Sequence, residues 1–144
     1  MTSPFARTTC ACENCTRCCR QQPGPLAPGD FERIRDFLRE TDDEAREHFW
    51  ASPGALVKTD AGTHRVGSIT PRRRKGRCVF LNAKNLCSIH EVAPFGCAMF
   101  DTHMSAQTAQ PRSLWLMREQ LKSQEYRDLR AALPYATSYK PTPY

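Results

Sequence analysis

The 144-residue chain predicts a small, irregular, single-domain α+β fold with two or three helices and a few short strands. Three observations lead there. The length suits one domain with a modest core. Eleven prolines break the chain into short elements. Eight cysteines in two groups offer a means of organising a core that loop-rich segments cannot build alone. Residues 1–9 read as a flexible N-terminus, 10–133 as the cysteine-cluster domain and 134–144 as an extended tail.

The elements follow in order. Residues 10–25 form a first cysteine loop closed by Pro23-Gly24-Pro25. Asp30 is placed to cap a helix to about Glu40, with Phe31, Ile34, Phe37 and Leu38 as its apolar stripe. Thr41-Asp42-Asp43-Glu44 reads as a capping box. It opens a second helix to about Ala51 that buries Ala45 and Phe49 and ends at Ser52-Pro53-Gly54. Residues 55–59 and 64–69 read as strands around Asp60-Ala61-Gly62. The run from Arg72 to Arg77 reads as a solvated loop, Cys78-Val79-Phe80-Leu81 as a short buried strand, and Asn82 to Asn85 as a turn. Leu114, Met117, Leu121, Leu129, Ala132 and Leu133 recur near helical spacing and predict a helix over about 113–133, with a lapse around Gln124 to Asp128.

The cysteine spacing carries the chemistry. The first group holds Cys10, Cys12, Cys15, Cys18 and Cys19, and the second Cys78, Cys87 and Cys97. Residues 12–19 read C-x2-C-x2-C-C, and three thiols at overlapping C-x2-C spacings can converge on one point. Short loops hold zinc or an iron–sulfur cluster in that way. Met1 to Thr9 has no apolar stretch of signal-peptide type, and no apolar run approaches the roughly 20 residues of a membrane span. A cytoplasmic protein with no membrane association is expected, in which thiols stay reduced. Metal ligation is therefore expected rather than disulfides, and adjacent Cys18 and Cys19 make awkward disulfide partners.

The expected ligands are Cys12, Cys15, Cys18, Cys19, Cys78, Cys87 and Cys97. If one site draws on both groups, the elements within the 58-residue gap form a lobe whose base the metal clamps. A [4Fe–4S] cluster takes four thiolates, three of which C-x2-C-x2-C can supply. Zinc takes four ligands in a tetrahedron. Soft thiolates accept both metals, so the spacing leaves iron–sulfur cluster and Zn2+ open. Cys10 stands outside the repeat, as an extra ligand or a bystander. His90, at C-x2-H from Cys87, and His103, six residues after Cys97, are further candidates, while His48 and His64 read as solvent-facing.

At these residues the chain resembles the cysteine-cluster proteins of the YkgJ type, zinc- or iron-chelating domains with a CxxCxxCC hallmark. The matching segments are Cys12-Glu-Asn-Cys15-Thr-Arg-Cys18-Cys19, Cys78-Val-Phe-Leu, Cys87-Ser-Ile-His90-Glu and Ala93-Pro94-Phe-Gly-Cys97-Ala-Met-Phe100. Where the family carries Arg before the proline, this chain has Ala93. The resemblance implies metal or cluster binding without a settled reaction. Larger relatives include lysine methylases acting on flagellin, which implies a metal-dependent protein-modifying enzyme or accessory as an alternative to a structural or electron-transfer protein.

The net charge of +6 is local, because five positive charges lie in residues 72–77. That run suggests an acidic protein or nucleic acid partner for a zinc-stabilised interaction module, but no aromatic residue interleaves it to stack bases. The chain has no G-x-G-x-x-G, P-loop, H-E-x-x-H or G-x-S-x-G signature. No catalytic residue and no nucleotide-cofactor site is assigned.

Overall fold

The computed structural model describes residues 3–8, 23–101 and 104–136. Cys10, Cys12, Cys15, Cys18, Cys19 and His103 lie outside the described residues, as does the tail beyond Ala136. The described residues form a mixed α+β fold of five helices and six short strands in three antiparallel pairs. None of their helices is long and apolar enough to cross a membrane.

Helix α1 spans Asp30–Leu38. Asp30 is its first residue rather than its cap. Gly29 holds the cap position at φ 93°, and no side chain caps the helix. Phe31 and Ile34 are buried as the stripe predicts, whereas Phe37 is 42% exposed. Helix α2, Asp42–Arg46, opens on the expected capping box: Thr41 Oγ1 accepts the Glu44 N–H at 3.2 Å and Glu44 Oε1 accepts the Thr41 N–H at 3.0 Å.

The predicted extension of α2 to Ala51 does not occur. Phe49–Ser52 is strand β1, paired antiparallel with β4, Ser68–Pro71. Phe49, Ala51 and Ile69 are buried, and the Trp50 Nε1–H donates to Thr70 Oγ1 at 3.0 Å. Tertiary pairing with a distant strand overrides a weak local helical preference. The same pairing shortens the predicted strand 64–69. It becomes β3, Gly62–Arg65, in a hairpin with β2, Leu56–Thr59.

The basic run is a tight hairpin rather than a loop. Strands β5, Arg73–Arg74, and β6, Arg77–Cys78, pair across Lys75 and Gly76. Both corner residues have positive φ, 54° and 75°, as a two-residue primed turn requires. Strand β6 ends at Cys78, so the predicted strand through Leu81 is shorter than expected. Leu81 instead bridges Cys87 across the Asn82 turn, whose side chain accepts from Lys84 N at 2.8 Å and Leu86 N at 3.1 Å.

A 3-10 turn at His90–Val92 leads into α3, Phe95–Ala98. The predicted C-terminal helix is two helices, α4, Ala106–Lys122, and α5, Gln124–Ala132. Helix α4 starts earlier than predicted because Ser105 caps it, and Pro111 lies inside it on the exposed side. The break is Ser123, whose side chain accepts the Tyr126 N–H at 3.1 Å.

The main core gathers Leu26, Phe31, Ile34, Phe49, Ile69, Cys78, Phe80, Ile89, Tyr126 and Leu133 between α1, the β1–β4 pair and α5. A second apolar cluster joins Ala27, Phe95 and Leu116 to Phe5, Met99, Phe100 and Trp115. His48, expected at the surface, packs against the rings of Phe49 and Phe80 and bonds Glu40 at 2.9 Å. His64 is exposed as expected, with its ring 3.0 Å from Thr59 Oγ1.

Candidate metal centre

Three of the expected ligands lie among the described residues. Cys78 is buried at the end of β6, within the main core. Cys87 is half-buried after the Asn82 turn, and Cys97 is half-buried on α3. Among the described residues, no three His, Cys, Asp or Glu side chains converge as a metal group. The other five cysteines lie outside the described residues.

The residues on either side of that cysteine segment are described, and both sides meet α3. Before it, the Thr8 N–H donates to the Ala98 carbonyl at 2.8 Å, and the Thr8 hydroxyl donates to the Asp101 carboxylate. Beside Thr8, the Arg7 guanidinium donates to the His90 carbonyl, at the end of the Cys87 segment. After it, the Gly24 N–H donates to Cys97 Sγ at 3.2 Å, and the Gly96 N–H donates to the Pro25 carbonyl at 2.8 Å.

This contact needs two glycines. A Cβ on Gly24 would stand 2.2 Å from the Gly96 carbonyl carbon, and one on Gly96 would stand 2.2 Å from Pro25 Cδ. Real Cβ atoms do not come that close, so the backbones approach only because both side chains are missing. The sequence signal was present in Pro23-Gly24-Pro25 and in the glycine before Cys97, but spacing alone could not show that the two glycines meet.

The chain distances are short. Cys12 follows Thr8 by four residues and Cys19 precedes Gly24 by five. Thr8 and Gly24 are themselves bonded to Ala98 and Cys97.

The electrostatics of the described thiols differ. Burial pushes the Cys87 thiol up from its ordinary value, against a backbone hydrogen bond from Ile89 and the charge of Arg7, which lower it. Cys97 Sγ accepts the Gly24 N–H. His90 is exposed, and Arg7 Nη2 donates to its carbonyl and lies 3.4 Å from both ring nitrogens. Ala93, where the resemblance implies arginine, is buried, and Arg33 of α1 donates to its carbonyl at 3.2 Å.

Sequence reasoning read Asp30 as a helix cap and missed its link to Phe95. Its Oδ2 accepts the Ala27 N–H at 2.7 Å and the Phe95 N–H at 2.8 Å, and its Oδ1 pairs with Arg33 at 3.0 Å. One carboxylate thus fixes the start of the Cys97 helix to the chain just beyond Gly24.

Neither a search of curated proteins nor one of solved structures returned a match. The family model "CxxCxxCC: Putative zinc- or iron-chelating domain" matches residues 11–128. That span takes in Cys12, Cys15, Cys18 and Cys19 together with Cys78, Cys87 and Cys97. The match covers most of the chain and both cysteine groups, so the chain belongs to the CxxCxxCC family of zinc- or iron-chelating domains.

Proposed function

We propose that this protein holds a thiolate-bound metal centre between the cysteine segment and α3, with Cys12, Cys15, Cys18, Cys19, Cys78, Cys87 and Cys97 as the donor set. The observation that carries this reading is the pair of anchors at Cys97. Thr8 bonds Ala98 and Gly24 bonds Cys97 Sγ, so the segment with the first four donors is tethered at both ends to the helix that carries the last. The N–H donor on Cys97 Sγ suits a metal-bound thiolate, because such hydrogen bonds offset sulfur charge and tune the metal.

C-x2-C-x2-C is an iron–sulfur spacing, in which three thiolates come from one short loop. That spacing favours an iron–sulfur centre, structural or electron-transferring, over zinc. Metal bound across both groups would add folding energy to a chain rich in irregular structure.

The test is anaerobic purification with elemental analysis and a visible spectrum. Brown protein with iron and acid-labile sulfide is expected, whereas colourless protein with stoichiometric zinc selects the zinc form of the centre. Cys15→Ser and Cys97→Ser should each lose metal and thermal stability together. Full metal content and unchanged melting in both variants would sink the proposal.

A further inference from the structure

Arg112 lies on α4, fifteen residues beyond the last cysteine, yet its contacts converge on both sides of the centre. Its Nη1 donates to the Ala6 carbonyl at 3.0 Å and to the Met99 carbonyl at 3.1 Å. The same guanidinium lies over the Phe5 ring, 5.1 Å from its centroid. Ala6 precedes Cys10 by four residues, and Met99 follows Cys97 by two. One side chain thus joins the strand of chain running into the cysteine segment to the end of the helix that carries Cys97.

We infer that Arg112 is a positioning residue for the metal centre: it fixes residues 5–6 against Met99, so that the cysteine segment starts from a set point beside Cys97. The inference rests on the proposed centre and adds a residue that is no ligand. Two features support it. Arg112 forms no salt bridge among the described residues, so its charge is spent on two backbone carbonyls and an aromatic face. Its platform is also a chain of ring contacts that reaches α3. Phe5 meets Trp115 edge-on at 6.2 Å, and Trp115 stacks on Phe95 at 5.0 Å. Phe95 is the first residue of the Cys97 helix. Arg112 and Trp115 are three apart on one helix, so they share a face. That face meets the residues before the cysteine segment at one end and α3 at the other.

A residue that only supports the fold would destabilise the metal-free and metal-loaded protein equally and leave affinity unchanged. A positioning residue acts on the metal-bound state, because the ligands must be held in place only there. Outer-sphere partners of metal ligands are worth about 10–100-fold in affinity.

The experiment measures zinc(II) affinity of the reduced, metal-free full chain by competition with a chromogenic chelator. Wild type, Arg112→Ala, Phe5→Ala and the double variant are compared, and the melting temperature of each metal-free protein is recorded. Arg112→Ala should bind zinc(II) about 10–100-fold more weakly. Phe5→Ala should weaken binding less, and the double variant should match Arg112→Ala, because both changes release the same segment. Wild-type affinity in Arg112→Ala, or fully additive losses in the double variant, would overturn the inference. Wild type that takes up no zinc(II) and carries no metal as purified would overturn the proposed centre, and this inference with it. Phe5→Ala alters no helix, so it keeps the test decisive if Arg112→Ala folds poorly.

Discussion

Asp30 Oδ2 accepts the Phe95 N–H at 2.8 Å, joining residues 65 positions apart. The same oxygen accepts the Ala27 N–H at 2.7 Å. Residue 30 is the first of α1 and residue 95 the first of α3, so one buried carboxylate sets the two helices against each other. The Gly24–Gly96 contact lies beside this junction, and Cys97 is the next residue.

Asp30→Ala should therefore do more than trim a surface charge. It leaves two buried N–H groups without an acceptor, at a cost of about 2–4 kcal/mol. Metal content should fall with stability, because α3 loses its register. Asp30→Asn keeps an acceptor oxygen and removes the charge, which isolates the pH dependence. Burial raises the Asp30 carboxyl above its ordinary 3.8, more than the Ala27 and Phe95 hydrogen bonds and Arg33 lower it. The folded state then holds this proton to higher pH than the unfolded state does. The group's contribution is complete below 3.8 and is lost as pH rises through the raised folded value. Urea titrations between about pH 3 and pH 7 should show wild-type stability, relative to Asp30→Asn, declining as pH rises. A constant difference would refute this account.

Gly24→Ala and Gly96→Ala should each separate the two backbones. The added Cβ would meet backbone or proline-ring atoms at 2.2 Å, which a rotamer change cannot relieve. Overpacking of this kind costs about 1–3 kcal/mol. Each variant should melt lower than wild type and also carry less metal, because the Gly24 N–H leaves Cys97 Sγ. Full metal content in both would show that this approach does not position the centre.

Thr41→Ala removes an N-cap from a five-residue helix and should cost about 1 kcal/mol, read as a lower denaturant midpoint with unchanged metal content. Glu44, the other half of the capping box, has its carboxyl held below the ordinary range by the backbone and side-chain hydrogen bonds of Thr41. Its contribution is therefore present above the ordinary carboxylate range and is lost as pH falls through the depressed folded value. The deficit of Thr41→Ala should shrink in acid.

What the sequence revealed was local chemistry, and what it hid was contact at a distance. The capping box was legible because Thr41 and Glu44 satisfy each other within one turn. The Asn82 turn was legible for the same reason. Phe49–Ser52 was not, since its strand state depends on Ser68–Pro71. Asp30 has the residue type of a cap, and only the fold shows that its partner is Phe95. For the proposed centre, spacing pointed to the cysteines and to thiolate–metal chemistry, and the resemblance agreed with both. No periodicity could reveal that Thr8 and Gly24 both meet α3, or that Arg112 faces Ala6. The hidden Ser123 break is the intermediate case. The lapse in apolar spacing after Lys122 marked it, and Ser123 capping α5 explains it.

Tyr126 offers the contrast that separates fold stability from metal positioning. Its hydroxyl, buried in the main core, accepts the Ile69 N–H at 2.9 Å and donates to the Leu26 carbonyl at 2.7 Å. Gln120 Nε2 donates to it at 3.2 Å and to Ser68 Oγ at 3.0 Å. Burial raises this phenol far above its ordinary value, so it stays a neutral donor throughout the working range. Tyr126→Phe strands the Ile69 N–H and should cost about 1–3 kcal/mol. The Leu26 N–H still donates to the Ile69 carbonyl at 2.8 Å, so the chain after Gly24 and Pro25 keeps its place. The variant should melt several degrees lower with and without metal, by the same amount, and bind zinc(II) as tightly as wild type. If its affinity falls as far as that of Arg112→Ala, global stability alone governs metal retention, and the guanidinium on α4 has no special hold on the centre.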